Sequence, residues 1–521
     1  MLGSIRPKDT LDEADVRYGL RMLLIDGILG QTMIVLFGGA FLVAFALLLG
    51  ASNRVIGLLA AIGPAAQMLQ LPVVWLVEKV RARKFLVVGS LVLSRLFIVV
   101  VALLPWFVPQ PARLGLFLGA LVCFFALASI SGCSFNSWIR DLVPEETMGR
   151  YFAKRMSIAV TVGALVSLAA AFGLDWYERA ASAPLPGFSA LFLIAAVVGM
   201  VDVYFLARIP EPRMAPGGGG GLLAALAEPL RDTNFRRLLL FLGSWHFAVM
   251  SAAPFFTVYL LLRLELSMSW VIGLAVFGQL MNVAFLGLWG RLADRFTNKS
   301  VLAVAGPLFM ISVLMWPFTT MPDRHMFTVP LLILIHALSG MSAAGVILGT
   351  GNIALKSAPR GSATAYLATV ALVSGLAATL SPILAGFAAD WFADKELGLT
   401  LTWLQSEPVA RAVHLPALSF RGLDFLFAIS FILGLYAMHR LLGVQEQGEV
   451  DDKAVRAELY AQMRRTARGV SSAVGMRQLT AFPFVAFRST VGRLGARMGD
   501  GAGPPSPDEF PADLPDDKEE W

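Results

Sequence analysis

The sequence has few charged residues and very little cysteine or histidine for its length. Charged residues make up 15% of the 521 residues, whereas hydrophobic residues make up 57%. Soluble domains carry about 25% charged residues, so this composition excludes a soluble protein of ordinary type. Cys123 and Cys133, the two cysteines, are ten residues apart in one apolar run. On a helix that spacing is about 15 Å, too far for a disulfide, so we expect both to be packing residues.

Clusters of side chains at catalytic spacing are also missing. The sequence shows no Ser/His/Asp or Cys/His arrangement and no set of metal ligands. A run of five glycines, Gly217–Gly221, has neither a preceding strand nor a following Lys-Ser/Thr pair, so a flexible linker is favoured over a phosphate-binding loop. We therefore expect no enzymatic activity, no metal and no cofactor.

Long apolar runs make up most of the chain. A run of about 18 or more mostly apolar residues is long enough to cross a bilayer as a helix. The sequence predicts an all-α integral membrane protein with twelve such spans, at about 22–49, 54–77, 85–106, 114–138, 156–176, 188–207, 238–262, 269–289, 301–318, 327–350, 362–388 and 422–441.

Lysine and arginine residues are concentrated in alternate loops between these runs. The loops of one side and the N-terminal arm carry 22 of them, whereas the loops of the other side carry 8. Because basic loops stay cytoplasmic, both termini are predicted to be cytoplasmic in a multi-pass plasma-membrane protein, such as one of the bacterial inner membrane. The pI of about 9.4 reflects this orientation signal, so we expect no nucleic-acid partner.

Two polar loops of the chain are related by a constant difference in residue number. The first contains Glu78, Arg81 and Lys84, and the second runs Gly290-Arg291-Leu292-Ala293-Asp294-Arg295-Phe296-Thr297-Asn298-Lys299. The difference between Lys84 and Lys299, called the repeat offset below, also relates Pro144 to Pro359, Tyr151 to Tyr366, Phe172 to Phe387, Asp175 to Asp390 and Trp176 to Trp391. The repeat offset predicts two halves of similar build.

The second loop resembles the G-x-L-A-D-R-x-x-x-K cytoplasmic loop of the major facilitator superfamily of secondary transporters. The first loop departs from that pattern, because it has no initial glycine and Glu78 stands near the aspartate position. The resemblance implies two six-helix pseudo-repeats that move a small solute by alternating access. It also implies gating roles for residues in these loops and in the elbows after helices four and ten: Glu78, Arg81, Lys84, Arg140, Asp141, Gly290, Asp294, Arg295, Lys299 and Asn352.

Several ionisable or polar residues lie within the apolar runs, where they are costly and therefore candidates for function. The resemblance places helices one, four, seven and ten around the central cavity, and so implies solute or ion contacts for Asp26, Gln31, Asn136, His246 and His336. Arg95 lies deep in helix three and needs an anion. We predict Asp26 as its partner and Asp202 as the second choice. Solvation of the two acids from the cytoplasm and packing roles for the histidines are the alternatives.

The predicted organisation is a cytoplasmic arm (1–21), a six-helix bundle (22–207), a Gly/Pro-rich linker (208–235), a second bundle (236–441) and a cytoplasmic tail (442–521), basic and amphipathic, then acidic and disordered. Residues 389–421 are predicted to form a long external loop. We expect a monomer that transports a small solute of unknown class, coupled to protons. Helix five, 157–176, lacks the Gly-Pro motif that drug–proton antiporters share. Alternatives are a lipid- or drug-translocating member of the fold and a non-transporting sensor that signals through the tail.

Overall fold

The chain is described by a computed structural model over residue 8 and residues 11–181, 183–213, 228–320, 323–359, 363–405 and 411–446. The predicted tail beyond 446 and residues 214–227 of the predicted linker lie outside these residues. Fourteen α-helices occur within the described ranges: α1 Glu13–Phe37, α2 Gly39–Leu48, α3 Asn53–Met68, α4 Gln70–Val80, α5 Arg83–Phe107, α6 Gln110–Leu142, α7 Glu145–Ala181, α8 Pro184–Leu206, α9 Thr233–Val258, α10 Met268–Arg295, α11 Asn298–Leu314, α12 Thr328–Lys356, α13 Ala363–Phe392 and α14 Leu423–Leu442.

Ten helical segments within the described ranges are long and apolar enough to cross a membrane, which makes this a multi-pass membrane protein. Two of the twelve predicted spans fall short of that standard. The span at 54–77 is divided into α3 and α4, and α11 has 17 residues. Pro72 explains the division, because a proline ring clashes with the carbonyl four residues earlier, here that of Met68, where α3 ends. Twelve crossings therefore remain a prediction for these two segments.

The helices of the first half (11–213) and the second half (228–446) pack in matching ways. In the first half α1 contacts α7 and α8, and in the second half α9 contacts α13 and α14. The main contacts between the halves are those of α3 with α13 and of α7 with α10. The repeat offset found in the sequence thus corresponds to a repeated helix arrangement.

The helix ends lie on two faces. The basic face carries the segments 81–82, 143–144, 207–213, 296–297 and 443–446. The distal face carries 49–52, 108–109, 264–267, 315–320, 323–327, 393–405 and 411–422. A large apolar cluster near the distal ends of the helices contains residues of both halves, such as Phe45, Phe192, Phe255 and Trp316. A cluster near the basic ends contains first-half residues such as Leu23, Val87 and Trp138.

A β-hairpin on the distal face departs from the all-α prediction. Strand β1, Glu396–Gln405, pairs antiparallel with β2, Arg411–Arg421, and a bulge lies between Leu399 and Thr400. The segment was predicted as a loop because its composition is polar. The alternation of Leu397, Leu399, Leu401 and Trp403 with small or polar residues is nevertheless a strand signal.

Candidate transport pathway

Four charged side chains form an ion cluster inside the first half. The Arg155 Nη2 atom on α7 lies 2.8 Å from Asp26 Oδ2 on α1, and Arg95 Nη2 on α5 lies 3.5 Å from Asp202 Oδ2 on α8. Arg155 also donates through Nε to the Leu23 carbonyl. The exposed fractions of Asp26, Arg95 and Asp202 are 7%, 5% and 3%. Two acids and two arginines therefore balance their charges where an isolated charge would be costly.

Glycines make room for this ion cluster. The Arg155 side chain lies against Gly27, where a Cβ atom would overlap Arg155 Nε. Arg95 lies against Gly199, whose added Cβ would stand 2.8 Å from Arg95 Cδ. Side chains larger than hydrogen at these two positions would displace the arginines from their acids.

The ion cluster lacks some of the hydrogen bonds that its groups can make. Arg95 Nε and Asp202 Oδ1 are buried and have no hydrogen-bond partner among the described residues. The carboxyl groups of Asp26 and Asp202 are close enough for their charges to act on each other. Two carboxylates buried side by side repel each other, so a proton on one of them relieves that repulsion. The arrangement can thus bind or release a proton.

The predicted Arg95–Asp26 pair is wrong, because the structure pairs Arg95 with Asp202 and Asp26 with Arg155. Helix α8 packs against α5 as well as against α1, and this packing places Asp202 beside Arg95. The predicted fifth span begins at 156 and so leaves out Arg155, whereas α7 begins at Glu145 and carries Arg155 well inside the helix. The available signal was Pro144 followed by two glutamates, which is typical of a helix start.

The other candidates for solute or ion contacts do not join the ion cluster. Gln31 lies against Gly163 of α7. His336 contacts the Leu332 carbonyl through Nδ1 at 2.8 Å and packs its ring edge against Trp316. His246 is half-buried, and its ring has no hydrogen-bond partner within the described ranges. Asn136 is exposed in a recess of about 830 Å³ on the basic face, with Arg140 and Asp141 among the lining residues.

Arg83 organises the basic face of the first half. Its backbone N–H donates to Glu211 Oε1 at 2.8 Å, and its guanidinium lies 2.5 Å from Asp141 Oδ2 and donates to the Pro212 carbonyl. Arg83 and its neighbour Lys84 are fully buried. Burial raises the pKa of Glu211, while hydrogen bonds from the backbone of Arg83 and Lys84 oppose that rise. The sequence prediction included Lys84 and Asp141 but missed Arg83 and Glu211.

Glu446 makes contacts in the second half that are equivalent to those of Glu211 in the first half. Its carboxylate accepts from the backbone N–H of Asn298 and Lys299 at the start of α11, and from Asn298 Nδ2 at 2.7 Å. By the repeat offset, Arg83 corresponds to Asn298 just as Lys84 corresponds to Lys299. In each half the acid that follows the sixth predicted span caps the start of the third.

The remaining predicted gating residues lie on the basic face without forming one site. Arg81 ends α4 in a left-handed conformation, φ 52°. Asp294 is exposed at the end of α10, and its side chain has no hydrogen bond or ion pair within the described residues. Arg295 lies over the Phe296 ring. Among the other predicted gating residues, Arg140 is exposed, and Gly290 and Asn352 are partly buried. The side chain of Glu78 lies outside the described residues.

Asp175 and Asp390 link the two halves on the distal face. Asp175, near the end of α7, accepts from the backbone N–H of Met268 and Ser269 at 2.9 Å each. Asp390, near the end of α13, accepts from the N–H of Asn53 and Arg54 at 3.1 and 3.3 Å. Each acid thus caps a helix of the other half, and both donors and acceptors obey the repeat offset.

A backbone crossing lies beside one of these caps. An added Cβ at Gly57 of α3 would overlap the Pro382 carbonyl of α13, and one at Gly386 would stand 2.7 Å from the Asn53 carbonyl. The two helices therefore meet backbone to backbone, which glycine permits and a side chain does not.

The family follows from a sequence comparison that agrees with this repeated architecture. The protein-family model described as Major Facilitator Superfamily matches residues 27–382 of this chain. The chain belongs to the Major Facilitator Superfamily. No curated protein sequence matches the chain.

Solved structures of superfamily transporters share the fold at low sequence identity. The nucleoside transporter NupG superposes with a TM-score of 0.59 and 11% identity, covering 82% of this chain and 98% of that chain. A D-xylose–proton symporter gives 0.58 and 13%, covering 84% and 99%. A bacterial homologue of the iron transporter ferroportin gives 0.56 and 13%, covering 83% and 99%.

Proposed function

We propose that this superfamily member moves a small solute across the membrane by alternating access and couples the movement to protons. The ion cluster of Asp26, Arg95, Arg155 and Asp202 supports the coupling. Its two carboxyl groups are close enough for their charges to interact, and Arg95 Nε and Asp202 Oδ1 have no hydrogen-bond partner among the described residues. A proton on either acid therefore changes the balance of charge in the cluster. One of the similar solved structures is that of a D-xylose–proton symporter, which agrees with this mode of transport.

Proton movement acts through the pairing of acids with arginines. When a proton leaves the Asp26–Asp202 pair, both carboxylates are charged and each holds its arginine. When a proton arrives, one arginine loses its counter-charge and must find solvent, a carbonyl or the solute. Helix α7, which carries Arg155, also packs against α10 of the second half. A change in the pairing of Arg155 therefore takes place next to the contact between the halves, which changes during alternating access.

The positive-inside rule assigns the basic face to the cytoplasm. In the described state the halves are joined at the distal face by Asp175 and Asp390. We assign this arrangement to the inward-facing state of the cycle, in which the external side is closed.

The first experiment identifies the solute. Purified protein is tested for thermal stabilisation over a panel of nucleosides, sugars, peptides, metal ions, drugs and lipids, because a ligand that binds the folded state raises its melting temperature. A solute that stabilises is then tested for exchange in proteoliposomes. Absence of exchange for every stabilising compound contradicts the transport proposal, and stabilisation by lipids alone favours a lipid-translocating protein.

The second experiment tests proton coupling with that solute. When one proton moves with each solute molecule, a pH difference of one unit across the membrane sustains about tenfold accumulation of the solute. Asp202→Asn is expected to retain solute exchange at zero gradient but to lose accumulation. The control is Glu178→Gln, which changes an exposed carboxylate on α7 and is expected to keep both exchange and accumulation. Normal accumulation by Asp202→Asn places the coupling site elsewhere.

A further inference from the structure

The two helices that receive a carboxylate from the other half begin after equivalent serines. Ser52 precedes α3 and Ser267 precedes α10, and both have the extended backbone of a helix N-cap, with ψ of 171° and 158°. Serine is one of the preferred N-cap residues, because its hydroxyl accepts from backbone N–H groups of the first turn. In this structure neither serine makes such a cap.

The carboxylates from the other half occupy the backbone donors that these helix ends offer. Asp390 uses both oxygens on the N–H groups of Asn53 and Arg54, and its Oδ2 lies 3.1 Å from Arg54 Nε. Asp175 uses both oxygens on Met268 and Ser269. A carboxylate at a helix start gains from the helix dipole and from hydrogen bonds to a charged acceptor. The N–H groups of Arg54 and Ser269, at the second helical position, are donors that an N-cap serine hydroxyl can otherwise accept from, and here the carboxylates occupy them.

These contacts exist only while the distal ends of the halves stay together. Separation of the halves removes Asp390 from α3 and Asp175 from α10, because each acid and its helix belong to different halves. The released N–H groups then need another acceptor. Ser52 and Ser267 already stand at the N-cap positions with extended backbone, so their hydroxyls can accept from the N–H groups of Arg54 and Ser269 without refolding.

We propose that Asp175 and Asp390 form a reciprocal latch that holds the distal face closed, and that Ser52 and Ser267 exchange with them as helix caps when it opens. The inference rests on the proposed alternating-access function. The exchange lowers the cost of opening, because the helix starts stay capped in both states. It predicts opposite effects for substitutions at one helix end: loss of the acid favours the open state, and loss of the serine disfavours it.

The test measures opening directly and requires no solute. Pro382 of α13 is buried where that helix meets Gly57 of α3, and it is replaced by cysteine in protein whose Cys123 and Cys133 are serine. The labelling rate with a hydrophilic maleimide in purified protein scales with the fraction of time that the distal face is open. Asp390→Asn loses one backbone hydrogen bond and the charge, since its amide nitrogen donates, and is expected to raise the rate about tenfold.

Ser52→Ala is the opposing variant at the same helix. Its hydroxyl makes no cap in the closed state, so the variant is expected to lower the labelling rate about fivefold by removing the cap of the open state. Asp394→Asn and Glu178→Gln are the matched controls, since both are exposed acids about one turn beyond Asp390 and Asp175, and they leave the rate unchanged.

Asp175→Asn carries the same expectation as Asp390→Asn and replaces it if the latter does not purify as a monodisperse protein. Equal rates for the acid variants and their controls overturn the latch. A rate that rises in Ser52→Ala overturns the cap exchange. Because no solute is used, these outcomes are independent of whether a transported compound is found.

Discussion

The Arg95 guanidinium and the Asp202 carboxylate are buried together, 3.5 Å apart, between α5 and α8. An arginine keeps its proton at any working pH, so it cannot escape the cost of burial by becoming neutral. The acid of α8 therefore supports the fold of the first half as well as the proposed proton site.

Removal of the arginine from this pair is expected to destabilise the protein. Arg95→Ala leaves Asp202 uncompensated and should lower the free energy of unfolding by about 3–5 kcal/mol. The double variant Arg95→Gln with Asp202→Asn replaces both charges by neutral hydrogen-bonding groups and should recover most of that loss. Denaturant unfolding in detergent measures both effects.

Arg17→Gln is the control for that experiment. The Arg17–Glu13 pair is exposed on both sides, so its loss should change stability by less than about 1 kcal/mol. If the Arg95/Asp202 double variant is no more stable than the weaker single variant, the two residues do not act as a pair.

The crossing of α3 with α13 makes a separate prediction. Gly57→Ala places a Cβ against the Pro382 carbonyl and should cost about 1–3 kcal/mol in thermal or denaturant unfolding. Gly89→Ala is the matched helical control, because nothing lies within 4 Å of its added Cβ. That variant should be neutral or stabilising by up to about 1 kcal/mol. Equal effects at the two positions would show that the crossing is not tightly packed.

Asp294 is predicted to act in the other state of the cycle. It is exposed on the basic face, so Asp294→Asn should leave expression and melting temperature unchanged. We expect it to slow solute exchange, because its carboxylate would meet the N-terminal end of α7 when the basic face closes, a contact of about 1–3 kcal/mol. Exchange at the wild-type rate would leave Asp294 with no role in gating. Glu178→Gln again provides the charge-matched control.

The orientation in the membrane is tested by labelling from outside intact cells. In protein without native cysteines, Asp394→Cys on the distal face should react with an impermeant maleimide. Arg208→Cys on the basic face should react only after the cells are opened. Labelling of both from outside contradicts the predicted orientation, which rests on the placement of lysine and arginine.

The sequence predicted the repeated architecture because the repeat leaves residues at a constant spacing. Lys84 and Lys299 both stand at the start of the third predicted span of their half, and Asp175 and Asp390 make equivalent contacts. Glu446 lies farther along the chain from Glu211 than the repeat offset, because the β-hairpin lengthens the connection before α14. The constant spacing therefore could not identify Glu446, although it performs the same capping role as Glu211.

By itself, the sequence determined the membrane class and the repeat, because apolar run length and residue spacing are properties of the linear chain. It also showed which charges must be compensated, since Asp26, Arg95 and Asp202 lie inside apolar runs. Only the tertiary structure decided which arginine meets which acid, because that depends on how α1, α5, α7 and α8 pack. For the same reason it alone revealed that Asp175 and Asp390 each cap a helix of the other half: a backbone N–H group leaves no signature in the sequence.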